Sequence, residues 1–294
     1  MNGNEQPGLV SMVVASYNHA EYLEQRMESL INQTYQNIEI IVIDDCSTDK
    51  SVDILRCYEA YPKVKLVLRE KNSGWVNVSN QGVEMASGEF VIFANCDDDC
   101  DPRMIERLVE AMKTYPTAGI AYCRSLMIDE QSNILGDDFN GREGGFKHRC
   151  VSDTLLSGAE MSMFLLISCV IPNLSAALFR RVCFGKVGYL STDYQVCADW
   201  EFFFRVVHNY DVAYVTEPMN NFRQHKTTIR SSTKSRVITA EYIRLLLGQA
   251  NLLNFNFIER ARFRTRVMYL WACHIVAPTW RGLYDIPCHA SVVI

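Results

Sequence analysis

Short apolar runs and longer amphipathic segments alternate along the first hundred residues. Leu9–Ala15 (LVSMVVA) is valine-rich and breaks at the polar Ser16-Tyr17-Asn18. A run this short and this β-branched predicts a buried strand. Leu23, Met27, Leu30 and Ile31 then recur at helical spacing, and Asn18 with Glu21 reads as a variant capping box for that helix. Ile38–Ile43 (IEIIVI) predicts a second strand, which ends in Asp44-Asp45. Ser47-Thr48-Asp49 opens a second helix through Val52, Leu55 and Tyr58. Val64–Leu68 predicts a third strand, and Asn72-Ser73-Gly74 turns into a helix reaching Met85 and stopped by Ser87-Gly88. The fourth strand, Glu89–Ala94 (EFVIFA), runs directly into Asn95-Cys96-Asp97-Asp98-Asp99. Asp101-Pro102 reads as an N-cap with proline at the first helical position, ahead of an apolar face of Met104, Ile105, Leu108, Val109 and Met112.

Strand–helix repetition at this pitch predicts an α/β fold, with a parallel sheet and helices on both faces. Ligands of such sheets sit at the carboxyl ends of the strands, where Ser16-Tyr17-Asn18, Asp44-Asp45 and Asp97-Asp98 are expected. No G-x-G-x-x-G follows the first strand and no G-x-x-x-x-G-K-[ST] occurs, which argues against a dinucleotide-dependent dehydrogenase and a P-loop ATPase. Phosphates would then be held by metal rather than by a backbone cradle. Three consecutive aspartates repel one another unless something positive lies between them. Mg²⁺ or Mn²⁺ meets that need and keeps positions open for phosphate. Capping accounts for Asp101 but not for Asp97 and Asp98. Of Asp44 and Asp45, one is expected to cap the following helix, leaving the other to accept from a base N–H.

Composition narrows the class. The chain has 294 residues, 48% hydrophobic and 21% charged, a globular balance that excludes disorder and collagen. A net charge of -5 argues against a general nucleic-acid binder. Residues 1–222 carry 18 Lys+Arg against 31 Asp+Glu, whereas residues 223–294 carry 11 against 3, so a basic end follows an acidic body. The 11 cysteines include no C-x-x-C pair, which suits free buried thiols in a reducing compartment. The polar start MNGNEQPG lacks an apolar signal core, and the longest apolar stretch, Met161–Pro172, is too short to span a bilayer. These features predict a cytoplasmic protein.

Four segments in order carry a family resemblance: VVASYNHAEYLEQRMESLINQTY (Val13–Tyr35), IEIIVIDDCSTDKS (Ile38–Ser51), NQGVEMASGEFVIFANCDDD (Asn80–Asp99) and Ala198-Asp199-Trp200-Glu201. Over roughly residues 9–225 they resemble the family 2 glycosyltransferases, inverting enzymes of GT-A fold. The resemblance implies a Rossmann-like, mostly parallel central sheet flanked by helices, and hexosyl or N-acetylhexosaminyl transfer. Ala15, Tyr17, Asn18 and Asn80 would then lie at the nucleotide, and Asp45 would hydrogen-bond the base, usually uracil. Asp97 and Asp98 match the Asp-X-Asp-type motif that holds ribose and a divalent metal, Mn²⁺ or Mg²⁺. Asp199 matches the catalytic base. His225, in a stretch similar to the family's Arg-X-His, would touch metal or diphosphate, with Arg223 helping to neutralise it. Three departures stand out. Asn95 replaces the usual first aspartate, which leaves Asp98 the preferred metal ligand. Ser79 stands where relatives often carry arginine, and Ala198 where many carry an acidic residue.

The expected organisation is a GT-A domain over residues 1–225, divided into a nucleotide-sugar half (9–123) and an acceptor half (124–225), and a helical extension over 226–294. Asp137–Gly145 reads as a polar, glycine-rich loop, and Cys197–Val207 starts a buried helix whose dipole favours Asp199. His19 reads as a surface helix residue. Thr239–Leu253 and Phe257–Val276 read as helices, the second studded by Arg260, Arg262, Arg264 and Arg266 and followed by Trp271, Trp280 and Tyr284. That mixture suits peripheral contact with the inner face of a membrane; packing on the body or homodimerisation are the alternatives. The function implied is metal-dependent transfer from a nucleotide-sugar, with UDP the expected nucleotide, to a hydroxyl of a glycan or lipid-linked acceptor. A sugar-nucleotide pyrophosphorylase and a non-catalytic nucleotide-sugar-binding module are the rival readings.

Overall fold

The computed structural model describes residues 6–141 and 144–252, together with residues 261, 263, 265, 267 and 268. Four parallel strands, β1 (Gln6–Ser16), β2 (Ile38–Asp44), β3 (Val64–Leu68) and β4 (Gly88–Phe93), pair in the order β3-β2-β1-β4. Helices α1 (Ala20–Ile31), α2 (Ser51–Arg56) and α3 (Trp75–Met85) connect them. The sheet continues through β5 (Asp99–Cys100), β6 (Ala118–Ile128), β7 (Ile134–Asp137), β8 (Thr154–Leu156), β9 (Ala177–Arg180) and β10 (Asp211–Arg223). Its order beyond β4 is β9-β6-β10-β5, with β7 on β6 and β8 on β10. β6 and β10 are parallel, while β9 lies antiparallel between β4 and β6. Helices α4 (Met104–Thr114), α5 (Gly144–Arg149), α6 (Gly158–Ile167), α7 (Val182–Val187), α8 (Ala198–Val207), α9 (Ile229–Ser232) and α10 (Ser235–Leu252) complete the described chain. This is a GT-A, Rossmann-like α/β architecture.

The apolar runs become strands because each strand must fill two cores. Along β1, Val10, Met12 and Val14 enter one hydrophobic cluster and Val13 enters the other. Along β2, Ile38, Ile40 and Val42 divide in the same way from Ile41 and Ile43. A strand covered on both faces reads as a continuous apolar run rather than an alternating one. Leu23, Met27 and Leu30 of α1 and Ile105, Leu108 and Met112 of α4 cover one face. Val83 of α3, Met161 and Leu165 of α6 and Phe202 and Phe203 of α8 cover the other.

Local expectations shift in four places. Asn18 does not cap α1; His19 occupies the N-cap position without a side-chain bond, and Asp49 accepts from the Ala20 N–H at 3.1 Å. The capping is thus supplied across the sheet edge. Asp101 accepts from the Arg103 N–H at 2.8 Å, organising the turn before α4 rather than capping it. The Asp137–Gly145 segment contains a 3₁₀ turn, Asp138–Gly141, and leads into α5. The helix expected over Thr239–Leu253 begins earlier, at Ser235. Within the expected Phe257–Val276 helix the described positions are helical; Arg260, Arg262, Arg264, Arg266, Trp271, Trp280 and Tyr284, and with them the basic surface proposed to meet a membrane, lie outside the described residues. Among the described residues no helix is long and apolar enough to cross a membrane.

Close packing of α3 on β1 depends on Gly82, where a Cβ would sit 2.1 Å from Val13 Cγ1. Gly82→Ala should destabilise the fold by about 1–3 kcal/mol through overpacking. The double substitution with Val13→Ala should recover a large part of that loss in a denaturant titration, whereas additive losses would contradict the packing account.

Candidate active site

The loops after β1, β2 and β4 open on one edge of the sheet, around a cleft of about 450 Å³. Its first wall is built at Asn18, whose φ of 54° places it in the left-handed region, a conformation asparagine tolerates better than most residues. The Asn18 N–H donates to Ser47 Oγ at 2.9 Å, and Asn18 Oδ1 accepts from the Thr48 N–H at 2.7 Å. These bonds spend the side chain on the neighbouring loop. Asn18 does not line the cleft, whereas Ala15, Tyr17 and His19 do. The bend turns His19 inward rather than onto the surface. Both of its ring nitrogens are shielded from solvent and make no hydrogen bond.

The acidic segment after β4 distributes its three carboxylates to three different environments. Asp97 Oδ2 lies 2.9 Å from His225 Nε2, while His225 Nδ1 lies 2.8 Å from Thr227 Oγ1. Burial raises the Asp97 carboxyl, but the His225 hydrogen bond and the imidazoles of His19 and His225 more than offset this and hold it below the ordinary range. Asp98 is buried. It accepts from Asn173 Nδ2 at 2.8 Å, the Arg223 N–H at 3.0 Å and Asn95 Nδ2 at 3.3 Å. Burial and then the Asp97 charge push its carboxyl up to about 7, against the pull of Arg26. Asp99 accepts from Gln25 Nε2 at 2.6 Å, from Asn221 Nδ2, and from Arg223 at 3.4 Å.

This arrangement bears on two expectations. Protein donors surround Asp98 and Asp99, and of the three carboxylates Asp97 is the one that lines the cleft. Asn95 contributes to that: it donates to Asp98 where an aspartate would repel it. Arg223 is likewise committed to the protein, donating to the carbonyls of Asp97 and Asp129 at 2.8 and 2.9 Å and stacking over Tyr22. The donors that remain for a metal are His19, Asp97 and His225, whose ligand atoms lie within 4.8 Å of one another. Two imidazoles and one carboxylate form a set suited to a divalent cation.

At the second strand end the two aspartates take separate partners, but neither caps α2, which begins at Ser51 rather than near Ser47, with Lys50 at its N-cap position. Asp44 accepts from the Ser47 N–H at 2.8 Å and Ser47 Oγ at 2.6 Å, holding the turn. Asp45 lines the cleft and accepts from the Ser73 and Gly74 N–H groups at 3.0 and 2.8 Å. Arg69 stands 3.6 Å from it, a cation beside this carboxylate. Asn80 does not line the cleft: its side chain donates to the Leu190 carbonyl at 2.9 Å and accepts from the Leu190 N–H at 3.0 Å. It joins α3 to the segment before α8.

Asp199 lines the opposite wall, in the first turn of α8. One of its oxygens accepts from the Trp200 N–H at 2.7 Å. Burial raises its carboxyl above the ordinary aspartate range, while that N–H and Arg230 draw it down. Ala198 beside it is fully buried and brings no second charge. The chain after β10 closes the cleft, contributing Thr227, Thr228, Ile229, Arg230 and Ser231. Helix α10 then clamps the Asp199 loop. The Glu241 carboxylate accepts from the N–H groups of Gln195, Val196 and Cys197 at 2.7, 2.8 and 3.0 Å, and Tyr242 packs edge-on to Trp200 at 4.3 Å. Arg230 and Glu241 escaped sequence reasoning because helical periodicity alone does not say which residues of the basic end reach back.

Known proteins resemble this chain in sequence and in fold. The sequence model described as glycosyl transferase family 2 matches residues 11–161. Glycosyltransferase GlyA of Streptococcus pneumoniae is 28% identical over 248 residues, covering 81% of this chain and 33% of GlyA. The uncharacterized glycosyltransferase YibD of Escherichia coli is 39% identical over 117 residues, covering 40% of this chain and 33% of YibD. The chain therefore spans about a third of the length of these relatives. Among solved structures, Staphylococcus aureus TarS 1–349 bound to UDP-GlcNAc superposes with a TM-score of 0.69 at 17% identity, over 94% of this chain and 76% of that one. The mannosyltransferase PcManGT of Pyrobaculum calidifontis, bound to GDP-Man and Mn²⁺, superposes at 0.59 with 16% identity, over 95% and 76%.

Because charge-assisted hydrogen bonds are worth about 1.5–3 kcal/mol, Glu241→Ala should speed amide exchange at Gln195, Val196 and Cys197 by about tenfold or more. Exchange in β1, β2 and β4 should stay unchanged. Equal rates in variant and parent would show that the clamp is not what holds this loop.

Proposed function

The chain belongs to glycosyl transferase family 2, and from that premise we propose that it moves a sugar from a nucleotide-sugar to a hydroxyl of a glycan or lipid-linked acceptor, with inversion at the anomeric carbon. The observation that carries this reading is the convergence of Asp45, Asp97 and Asp199, from three separate elements, on one cleft. A nucleotide, a diphosphate and a reacting hydroxyl make those three demands in that order. The TarS structure holds UDP-GlcNAc and the PcManGT structure GDP-Man; a UDP-sugar is the donor proposed here.

Asp45 receives the base, its carboxylate fixed by the Ser73 and Gly74 amides, with Ala15 and Tyr17 beside it. Asp97 and His225 would hold a divalent cation, which when bound neutralises charge on the departing diphosphate. The Thr227 hydroxyl on Nδ1 fixes the His225 ring so that Nε2 faces Asp97. Arg230, on the segment that closes the cleft, adds a protein cation near the leaving group. Asp199 accepts the proton of the acceptor hydroxyl as the new C–O bond forms. Displacement in one step inverts the anomeric centre and needs no second carboxylate. Residues 9–123 form the nucleotide half in this reading and 124–225 the acceptor half. The segment 226–252 belongs to the working site rather than to a separate extension, since Thr227–Ser231 line the cleft.

A screen of nucleotide sugars with and without Mn²⁺ should return one donor that is bound and slowly hydrolysed. Asp199→Asn should lower turnover about 10²–10⁴-fold with donor affinity little changed. A pyrophosphorylase or a non-catalytic binding module predicts no such loss. Asp199 must be ionised to act and its carboxyl is raised, so kcat should fall on acidification with a midpoint above the ordinary aspartate value of about 3.9. Arg230→Gln removes a cation that favours the carboxylate and should move that midpoint to higher pH. A midpoint that stays in place would remove Arg230 from this role.

A further inference from the structure

We propose that His19 is a third protein ligand to the cation, and that the resulting two-histidine, one-carboxylate set selects a first-row transition dication such as Mn²⁺ or Co²⁺ over Mg²⁺. The inference rests on the metal-dependent reading of the site and extends it.

Three observations carry it. His19 is aimed into the cleft by the left-handed bend at Asn18, which two bonds from the neighbouring loop hold in place. Its two ring nitrogens are shielded from water and have no hydrogen-bond partner, an unfavourable condition for a polar ring unless a ligand completes it. Its ring meets that of His225 edge-on at 5.4 Å, and its ligand atom falls within 4.8 Å of those of Asp97 and His225.

The distances suit one ion. Bonds of about 2.1 Å to a transition metal separate adjacent octahedral ligands by about 3.0 Å and opposite ones by about 4.2 Å. His225 Nε2 and Asp97 Oδ2, at 2.9 Å, already stand at an adjacent edge. The ligand atom of the half-buried His19, within 4.8 Å of both, would complete the set by moving toward that edge. Three donors gathered on one side of an ion leave three positions for other oxygens. Mg²⁺ prefers oxygen ligands, whereas imidazole suits transition metals. Each histidine therefore shifts the balance away from Mg²⁺, and two shift it further than one.

The test is made without donor, on the full chain. MnCl₂ and MgCl₂ are titrated separately into the parent, His19→Ala and His19→Gln, followed by calorimetry. Hyperfine coupling to bound Mn²⁺ counts the imidazole nitrogens. The expected result is tenfold or greater weakening of Mn²⁺ in both variants with Mg²⁺ changed less than threefold, two coupled nitrogens in the parent and one in each variant, and equal melting temperatures without metal. Unchanged Mn²⁺ affinity, or two coupled nitrogens in both variants, would overturn the assignment. A variant that melts lower without metal is scored by the nitrogen count alone. Tight two-nitrogen Mn²⁺ binding with no nucleotide-sugar turned over would instead sink the transferase reading and leave this site standing. Equal turnover of the parent and His19→Ala with Mg²⁺ and with Mn²⁺ would do the reverse.

Discussion

A buried guanidinium decides how the acidic edge of this sheet is organised. Arg223, at the end of β10, is 1% exposed; its guanidinium donates to the Asp97 and Asp129 carbonyls, the Gln25 side chain and the Asp99 carboxylate, while its main-chain N–H donates to the Asp98 carboxylate. Adjacent carboxylates withdrawn from water are costly unless each gains donors or a counter-charge. With Arg223 and four amide side chains serving Asp98 and Asp99, Asp97 is the carboxylate of the three that faces the cleft. The site thus presents one carboxylate and two imidazoles, not a cluster of anions. A ligand that binds there meets Asp97 and His225 already paired at 2.9 Å.

The same economy of partners runs through the rest of the cleft. Asn18 and Asn80 are near it in sequence logic but are spent on neighbouring backbone, and that spending is what shapes the walls. Asn18 fixes the bend that carries His19, and Asn80 ties α3 to the segment leading into α8. Glu241 performs a related task from α10, gathering three amides just ahead of Asp199. Catalytic geometry demands positional control to a fraction of an ångström, and these polar side chains supply it from rigid elements on both sides of the cleft.

The proposed chemistry follows from where charge is allowed to change. Asp199 is raised by burial while Asp97 is held low by its histidine partners, so two carboxyls on one cleft have environments that push them apart. A proton acceptor and a permanently anionic metal ligand are the roles those environments favour. Arg230, on the wall that Thr227–Ser231 provide, draws the Asp199 carboxyl down, so that wall bears on the ionisation of the proposed base.

The apolar runs in the chain determined the sheet. Continuous β-branched segments bounded by polar turns have few options but a strand buried on both faces, and β1 to β4 form where their pattern put them. The polar ends of those strands also marked the edge at which a site had to lie, because ligands gather where strand ends and loops leave backbone groups unpaired. Only the tertiary structure decided which polar residue serves the site and which serves the fold. Hydrogen bonds such as Asp98–Asn173, Arg223–Asp98 and Glu241–Cys197 join residues 75, 125 and 44 positions apart. A local pattern cannot register such partners, so it could not tell Asp97 from Asp98, nor lift His19 from a helix surface into the cleft.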